Sequence, residues 1–292
     1  MKRFILAIVL VLAFYASDSF AINLRPYMQT PPEVQVFAKR VIEDGGKVVD
    51  LEFCQKYTRL SKQLIIWSNG KFVGDANMGV KLNSGVSVQT LYDLSGNNND
   101  ATQGTADNQP VWTANVQGGR YGMVFDGVDD DLVCTSNASL NITEAITILM
   151  GIKVESFTAG KYMGLFDKSV TTTSWQSYMV ADTHLVQLEL YGTTGGPLTG
   201  TGAIVAGAAT LLNLNYDGAN SFIYINGGLD NSEASTGSIG VSAQDLWIGT
   251  IDQSADNFFH GAITTKAILD VALTTAQRTA LESFVNAYYQ IY

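Results

Sequence analysis

Acidic side chains are the clearest candidates for chemistry in this 292-residue chain. Four carboxylates fall close together at Asp126, Asp129, Asp130 and Asp131, and a second oxygen-rich segment starts at Asp93. Calcium prefers such hard oxygen ligands. Histidine and cysteine ligands lack the spacing of a zinc site. The sequence therefore predicts calcium as the candidate ion at these five residues, and ordinary tight turns, which need the same residue types, remain the alternative.

Aromatic side chains form the second candidate site. Trp175, Tyr178 and Tyr191, together with Trp247, offer flat apolar surfaces on which sugar rings stack. Trp175 follows a polar run of threonines and a serine, so it is predicted to be the most exposed of the four. Burial in the core is the alternative for each of them.

Motifs of catalysis are missing from the sequence. Glycoside hydrolysis needs two carboxylates on one strand face or across a cleft, and Glu189 has no second carboxylate two residues away. It is predicted to be a single polar residue on a solvated face. The nucleophile motif Gly-x-Ser-x-Gly is also absent. The residues therefore favour a binding protein over an enzyme.

The charge balance narrows the range of partners. The chain has 27 Asp and Glu against 17 Lys and Arg, a net charge of -10, which disfavours binding to nucleic acid and to anionic membrane surfaces. Lys2 and Arg3 precede an apolar run and the small residues before Ala21, an arrangement typical of a signal peptide at residues 1–21. That run is too short for a bilayer-spanning helix, so we expect export without stable membrane insertion.

The elements that must position these residues follow from periodicity. Residues 30–66 have the caps and the helical spacing of a two-helix hairpin, and Thr274 with Gln277 signals a last helix. From about residue 75, short apolar alternations between Gly, Asn and Asp turns predict antiparallel strands, with the firmest hairpin at residues 211–226. Phe125 and Trp247 lie in apolar strand segments and are predicted to be buried. Cys54 and Cys134 either form a disulfide or are buried free thiols.

Several segments, in order, resemble the laminin-G-like jelly-roll family of concanavalin-A-like lectins. They are Tyr92-Asp93-Leu94-Ser95-Gly96-Asn97, Val124-Phe125-Asp126-Gly127-Val128-Asp129-Asp130, Ile146-Thr147-Ile148, the hairpin from Tyr216-Asp217-Gly218 to Asn226-Gly227, and Trp247-Ile248-Gly249. The resemblance implies two stacked antiparallel sheets. It also implies carbohydrate or protein binding by many members, in some cases with calcium.

Together these observations predict an all-β protein, an antiparallel β-sandwich preceded by a short helical hairpin and closed by a C-terminal helix. The expected organisation is a signal peptide at 1–21, a helical segment at 22–74 and the sandwich at 75–292. The predicted function is a secreted or surface-displayed module that binds a glycan or a cell-surface protein. A structural or receptor-binding protein of a bacteriophage virion is the second hypothesis, and a glycan-active hydrolase is the third.

Overall fold

The structure is a computed structural model that describes residues 30–169, 173–251 and 257–292. The predicted signal peptide lies outside the described residues. The helices are α1 (Pro32–Glu43), α2 (Leu51–Gln63) and α3 (Thr275–Tyr289). The strands are β1 (Lys47–Val48), β2 (Gly70–Asp75), β3 (Gly79–Asn83), β4 (Ser87–Leu91), β5 (Ala101–Thr102), β6 (Val111–Gln117), β7 (Arg120–Asp126), β8 (Leu132–Cys134), β9 (Ile146–Val154), β10 (Tyr162–Asp167), β11 (Trp175–Val180), β12 (Leu185–Leu190), β13 (Leu198–Thr199), β14 (Ala209–Tyr216), β15 (Asn220–Ile225), β16 (Gly228–Ala234), β17 (Leu246–Ile248) and β18 (His260–Leu269).

The strands form two layers in which neighbours are antiparallel. Sheet 1 runs in the order β1-β3-β4-β5-β8-β17-β10-β11-β12-β13. Sheet 2 contains β6, β7, β18, β9, β14, β15 and β16, and β2 pairs with the second half of β18. The pair Ser87 and Val111 joins the two layers at a corner. The predicted antiparallel sandwich is confirmed.

Local signals in the sequence account for the helices. Asp50 caps α2 by accepting a hydrogen bond from the Phe53 amide at 2.8 Å. Thr274 and Gln277 form the predicted capping box at the start of α3. Both the helical hairpin and the C-terminal helix are therefore as predicted. Among the described residues, no helix is long and apolar enough to cross a membrane.

The helices pack on the outer face of sheet 2. Strand β9 is buried almost throughout, so both of its faces are covered. Its Ile148 and Met150 belong to the core between the sheets. Leu149, which points the other way, packs in a second cluster with residues of all three helices, including Phe53 and Leu281. The centre of sheet 2 is thereby covered on both faces. Helix α1 also packs on β1 and β3 at one end of sheet 1, where Phe37 lies against Gly79. At the other end of sheet 1, none of the described residues of β10, β11 and β12 belongs to the cluster that contains the helices.

The predicted hairpin between β14 and β15 forms as expected. Asp217 closes its turn by accepting hydrogen bonds from the amides of Ala219 and Asn220 at 2.9 and 2.7 Å. Gly218 adopts a φ of +88°, which a residue with a side chain rarely adopts. Elsewhere, Cys54 and Cys134 are both buried and both free, because each packs in a different hydrophobic cluster.

The two aromatic residues that were predicted to be buried differ in how exposed they are. Phe125 is fully buried between the sheets. Trp247 is half-buried, so its prediction is wrong. In β17 the flanking Leu246 and Ile248 point into the core, and strand alternation turns the indole of Trp247 to the outer face of sheet 1.

Candidate functional site

Sheet 1 presents its open face where β11 and β12 pair. In β11, Trp175 and Met179 are buried in the core, so alternation along the strand places Gln176 and Tyr178 on the opposite face. Strand β12 alternates in the same way and puts Glu189 directly beside Gln176. This face therefore carries polar and aromatic side chains over an apolar core.

One row of directly paired residues crosses the outer face of sheet 1 from β3 to β12. Its members, in order, are Lys81, Thr90, Thr102, Val133, Trp247, Asp167, Gln176 and Glu189. With about 4.8 Å between neighbouring strands, the row is roughly 34 Å long.

Glu189 is the centre of a hydrogen-bonded cluster at one end of the row. Its Oε1 accepts from the Tyr178 hydroxyl at 2.7 Å, and its Oε2 accepts from the Tyr191 hydroxyl at 2.5 Å. The Nε2 of Gln176 donates to the same Oε2 at 2.5 Å. Two donors from β11 and one from the residue that follows β12 thus converge on a single carboxylate.

The cluster continues from Gln176 toward β10. Ser169 donates through its Oγ to the Oε1 of Gln176 at 3.1 Å. The Oγ and the backbone amide of Ser169 also approach the Oδ1 of Asp167, both at 2.7 Å. We call the connected set the Glu189 cluster; its members are Asp167, Ser169, Gln176, Tyr178, Glu189 and Tyr191.

Both tyrosines of the cluster remain protonated at physiological pH. Burial raises the pKa of Tyr178, and the hydrogen bond and negative charge of Glu189 raise it further. The pKa of Tyr191 is raised for the same two reasons, burial first. Their hydroxyl hydrogens therefore stay directed at Glu189.

The structure reassigns the predicted sugar-stacking residues. Trp175 is fully buried and packs edge-on against Phe166, so the prediction that it is exposed is wrong. Tyr178 is only 7% exposed and contributes its hydroxyl, not its ring face. Tyr191 is half-buried at the rim of the cluster.

Tyr162 is the accessible aromatic residue that sequence reasoning missed. Its side chain is 46% exposed at the start of β10, and its ring meets the Tyr178 ring at 5.0 Å in an edge-on arrangement. Strict alternation would have placed Tyr162 on the face of the buried Phe166, and only the register shift between Gly164 and Phe166 brings it to the same face as Asp167. Tyr162, Tyr191 and Trp247 together with the Glu189 cluster make up what we call the Glu189 face.

The chain that follows β17 passes beside Tyr178. Gly164 pairs with Tyr178 across the sheet. A Cβ at Gly164 would lie 2.1 Å from the carbonyl carbon of Thr250 and 2.3 Å from the amide nitrogen of Ile251. This close backbone approach explains why Tyr178 is buried although it points out of the core.

The acidic turn between β7 and β8 brings together three of the predicted calcium ligands. One carboxylate oxygen from each of Asp126, Asp129 and Asp130 lies within 4.8 Å of the others. Burial, followed by the charge of Asp126, raises the pKa of Asp130 to about 7. The turn therefore concentrates negative charge that a cation would neutralise.

The other two predicted ligands lie outside this group. Asp131 accepts a short hydrogen bond from Gln103, and burial raises its pKa to about 6. Asp93 is buried, and its carboxylate is saturated by donors from Val73, Ser95 and Asn99. Asp93 therefore acts as the organiser of its turn, and its assignment to the calcium site is wrong.

A separate cleft of about 380 Å³ lies between α1 and the turn after β4. Its lining residues are Pro32, Glu33, Val36, Phe37, Arg40, Trp67, Asp93, Leu94, Ser95, Gly96 and Asn98. Arg40, its cation, is held by Asp100 and by the carbonyl of Asp93. The cleft is mostly apolar and is the second location at which a small ligand would fit.

Comparison with known families decides the classification. A family model for the concanavalin A-like lectin/glucanases superfamily, of the laminin G type, matches residues 126–277, just over half of the chain. The chain belongs to this superfamily. The match runs from the acidic turn through β10, β11 and β12 to the start of α3, so the superfamily region includes the Glu189 face. No curated protein matches the chain.

Solved structures show the same fold at low identity. The binding domain of Paraclostridial Mosquitocidal Protein 1 has a TM-score of 0.57 and 15% identity, covering 76% of this chain and 53% of that one. The ligand binding domain of botulinum neurotoxin serotype D, in complex with N-acetylneuraminic acid, has a TM-score of 0.55 and 13% identity, with 75% and 52% covered. The sialidase of Trypanosoma rangeli has a TM-score of 0.50 and 13% identity, with 81% and 39% covered. This superfamily member thus spans about half the length of the toxin domains.

Proposed function

We propose that the chain is a non-catalytic carbohydrate-binding module that holds a glycan on the Glu189 face. The observation that carries the proposal is the combination of accessible aromatic rings with a rigid polar cluster on one open sheet. Sugar rings stack on aromatic faces while their hydroxyl groups need nearby hydrogen-bonding partners. Tyr162, Tyr191 and Trp247 supply the rings, and the Glu189 cluster supplies the partners.

The known structures support this proposal at the level of the fold. Two of them are described as binding domains, and one of these was solved with N-acetylneuraminic acid. N-acetylneuraminic acid is a ligand of that toxin domain. This chain resembles 52% of that domain, so the likeness supports a binding role at the level of the fold, which is the role that we propose here.

A glycan-active hydrolase is the competing proposal, since the sialidase shares the fold. Asp167 and Glu189 stand on either side of Gln176, two strand spacings or about 10 Å apart. That distance lies at the outer limit for an acid and base pair, about 9.5 Å. Both carboxylates also accept hydrogen bonds inside the cluster. We therefore expect binding without release of new reducing ends.

A glycan array with the purified protein tests the proposed function, because it samples many sugars at once. We expect binding to at least one class of glycan. Replacing Trp247 with alanine should weaken that binding about tenfold or more, the effect of losing one stacking contact of about 1.4 kcal/mol. Leu229→Ala is the matched control, since Leu229 is an exposed residue of β16 in the other sheet. An array without signal, or an equal loss in both variants, would contradict the proposal.

Calcium binding at the acidic turn is a further part of the proposed function, with a role in stiffening the turn. Calcium bound only to the folded state stabilises it by about 2.7 kcal/mol at a hundred times its dissociation constant. Because the pKa of Asp130 is raised to about 7, protons compete for this site and stabilise the folded state without calcium. That proton-linked stability is present below about pH 4 and is lost as the pH rises through about 7.

Melting curves in calcium and in chelator check this. The calcium-dependent rise in melting temperature should be larger at about pH 8 than at about pH 5.5, and Asp129→Asn should reduce it. Glu233→Gln, which removes one charge from an exposed residue of sheet 2, should leave it unchanged. Superimposable curves at millimolar calcium would show that the turn binds no calcium.

Export to the cell surface or the medium completes the proposal, and a place in a virion is the alternative. The positively charged and apolar start of the sequence supports export. Amino-terminal sequencing of the protein from its native source distinguishes the two: a chain starting at residue 22 supports export, and an intact Met1 in a particle supports the virion.

A further inference from the structure

The hydrogen atoms of the Glu189 cluster are all used inside the cluster. A tyrosine or serine hydroxyl has one hydrogen to donate, and a glutamine amide has two. Tyr178 and Tyr191 donate theirs to Glu189. Gln176 approaches Glu189 and the Tyr191 oxygen with its Nε2, and Ser169 donates to Asp167 or Gln176.

What the cluster presents to a ligand is therefore lone pairs. Glu189 Oε1 accepts only the Tyr178 hydroxyl and keeps a lone pair, and the half-buried Tyr191 oxygen accepts only the Gln176 amide, so both can accept a further hydrogen bond. An acidic sugar brings a carboxylate, which also only accepts. It would find no hydrogen to bind within the cluster and would lie against a negative charge.

The positive charge nearest in sequence is turned away from the cluster. Lys168, between Asp167 and Ser169, is buried, and its Nζ donates to Ser136 Oγ and to the carbonyls of Ser242 and Gln244. Along the row of paired residues that crosses the outer face of sheet 1, the cation is Lys81 at the opposite end, seven strands from Glu189. Lys81 is itself paired with Asp44 at 3.3 Å. The excess of negative charge over the whole chain, -10, adds to the same effect.

Resting on the glycan-binding function above, we propose that the Glu189 face selects sugars with free, protonated amino groups over N-acetylated and acidic sugars. An ammonium group has three hydrogens to donate and a positive charge, which complement an acceptor-only carboxylate cluster. The ring faces of Tyr162 and Tyr191 beside the cluster also attract cations. An acetamido group has no charge and only one hydrogen to donate, so it binds this cluster of acceptors more weakly than an ammonium group does.

Calorimetric titration with matched oligosaccharides tests the proposal. The probes are a hexamer of glucosamine, the hexamer of N-acetylglucosamine and an oligomer of galacturonic acid, at about pH 6 and physiological salt. We expect the glucosamine hexamer to bind about tenfold more tightly than its acetylated counterpart, and the acidic oligomer not to bind. In Glu189→Gln the two hexamers should bind within about threefold of each other.

Control variants distinguish recognition by the Glu189 face from general attraction of a positively charged sugar to an acidic protein. Glu233→Gln removes the same charge from sheet 2 and should keep the preference. Tyr162→Ala should weaken both hexamers while keeping their order. An equal loss of preference in Glu233→Gln, or equal or tighter binding of the acetylated or acidic oligomer by the natural protein, overturns the selectivity but leaves glycan binding standing. Failure of every sugar in this set and on the array overturns the proposed function itself.

Discussion

Replacing Phe125 with alanine is expected to lower the free energy of unfolding by about 3–5 kcal/mol. The ring is fully buried between the sheets and meets Phe259 edge-on, with 6.1 Å between the ring centroids. Gly249 leaves it space, since a Cβ there would lie 2.5 Å from the ring. The truncation therefore opens a cavity at the place where β7 and the end of β17 meet.

Denaturation in urea measures this loss. Val128→Ala is the control, because Val128 lies three residues further along the same chain and is 64% exposed. Its substitution should change stability by no more than about 0.5 kcal/mol. A loss below about 1 kcal/mol for Phe125→Ala would show that the register of β7 is different from the one described here.

Replacing Lys266 with methionine is expected to stabilise the protein by about 3–5 kcal/mol at pH values below about 6. Lys266 lies in β18 with no exposed surface, and its Nζ has no hydrogen-bond partner among the described residues. Burial lowers the pKa of its ammonium group to about 7, and the negative charge of Asp75 only partly opposes this. A protonated amine in this core costs free energy that a methionine of similar length does not.

The dependence of this gain on pH follows from the lowered pKa. The unfolded chain holds the proton of Lys266 up to about pH 10.4, whereas the folded chain releases it near pH 7, so stability rises with pH between these values. The difference between the natural protein and Lys266→Met should therefore be largest below about pH 6 and shrink toward about pH 9. Taking the difference removes the contributions of buried cysteines and tyrosines that both proteins share. A constant difference at every pH would show that folding does not lower the pKa of Lys266.

Helices and turns were predictable because their signals are local. The caps at Asp50 and Thr274 and the Asp217-Gly218 turn act within a few residues of the chain. The acidic turn was predictable in part for the same reason: Asp126, Asp129 and Asp130 are neighbours in sequence. The inclusion of Asp93 was an error, because nothing local indicates that the amides of Val73 and Asn99 saturate its carboxylate.

The Glu189 cluster was not predictable because it depends on strand pairing. Tyr191, two residues after Glu189, is its one donor close in sequence, and Gln176 and Tyr178 reach it only through the register of β11 against β12. The same register buries Trp175: a polar flanking segment shows that a turn is near, but it does not determine which face of the next strand a residue occupies. Lys266 was missed since β18 is covered on both faces, one by the core and one by the helices.

Hydrogen exchange with and without a bound glycan tests the location of the site most directly. With the tightest ligand from the array, we expect slowed exchange in peptides from β10, β11, β12 and β17, and unchanged exchange in α1 and in the turn after β4. That result would place the glycan on the Glu189 face. Protection confined to the cleft between α1 and that turn, which is lined by Phe37, Arg40 and Trp67, would contradict the proposed site.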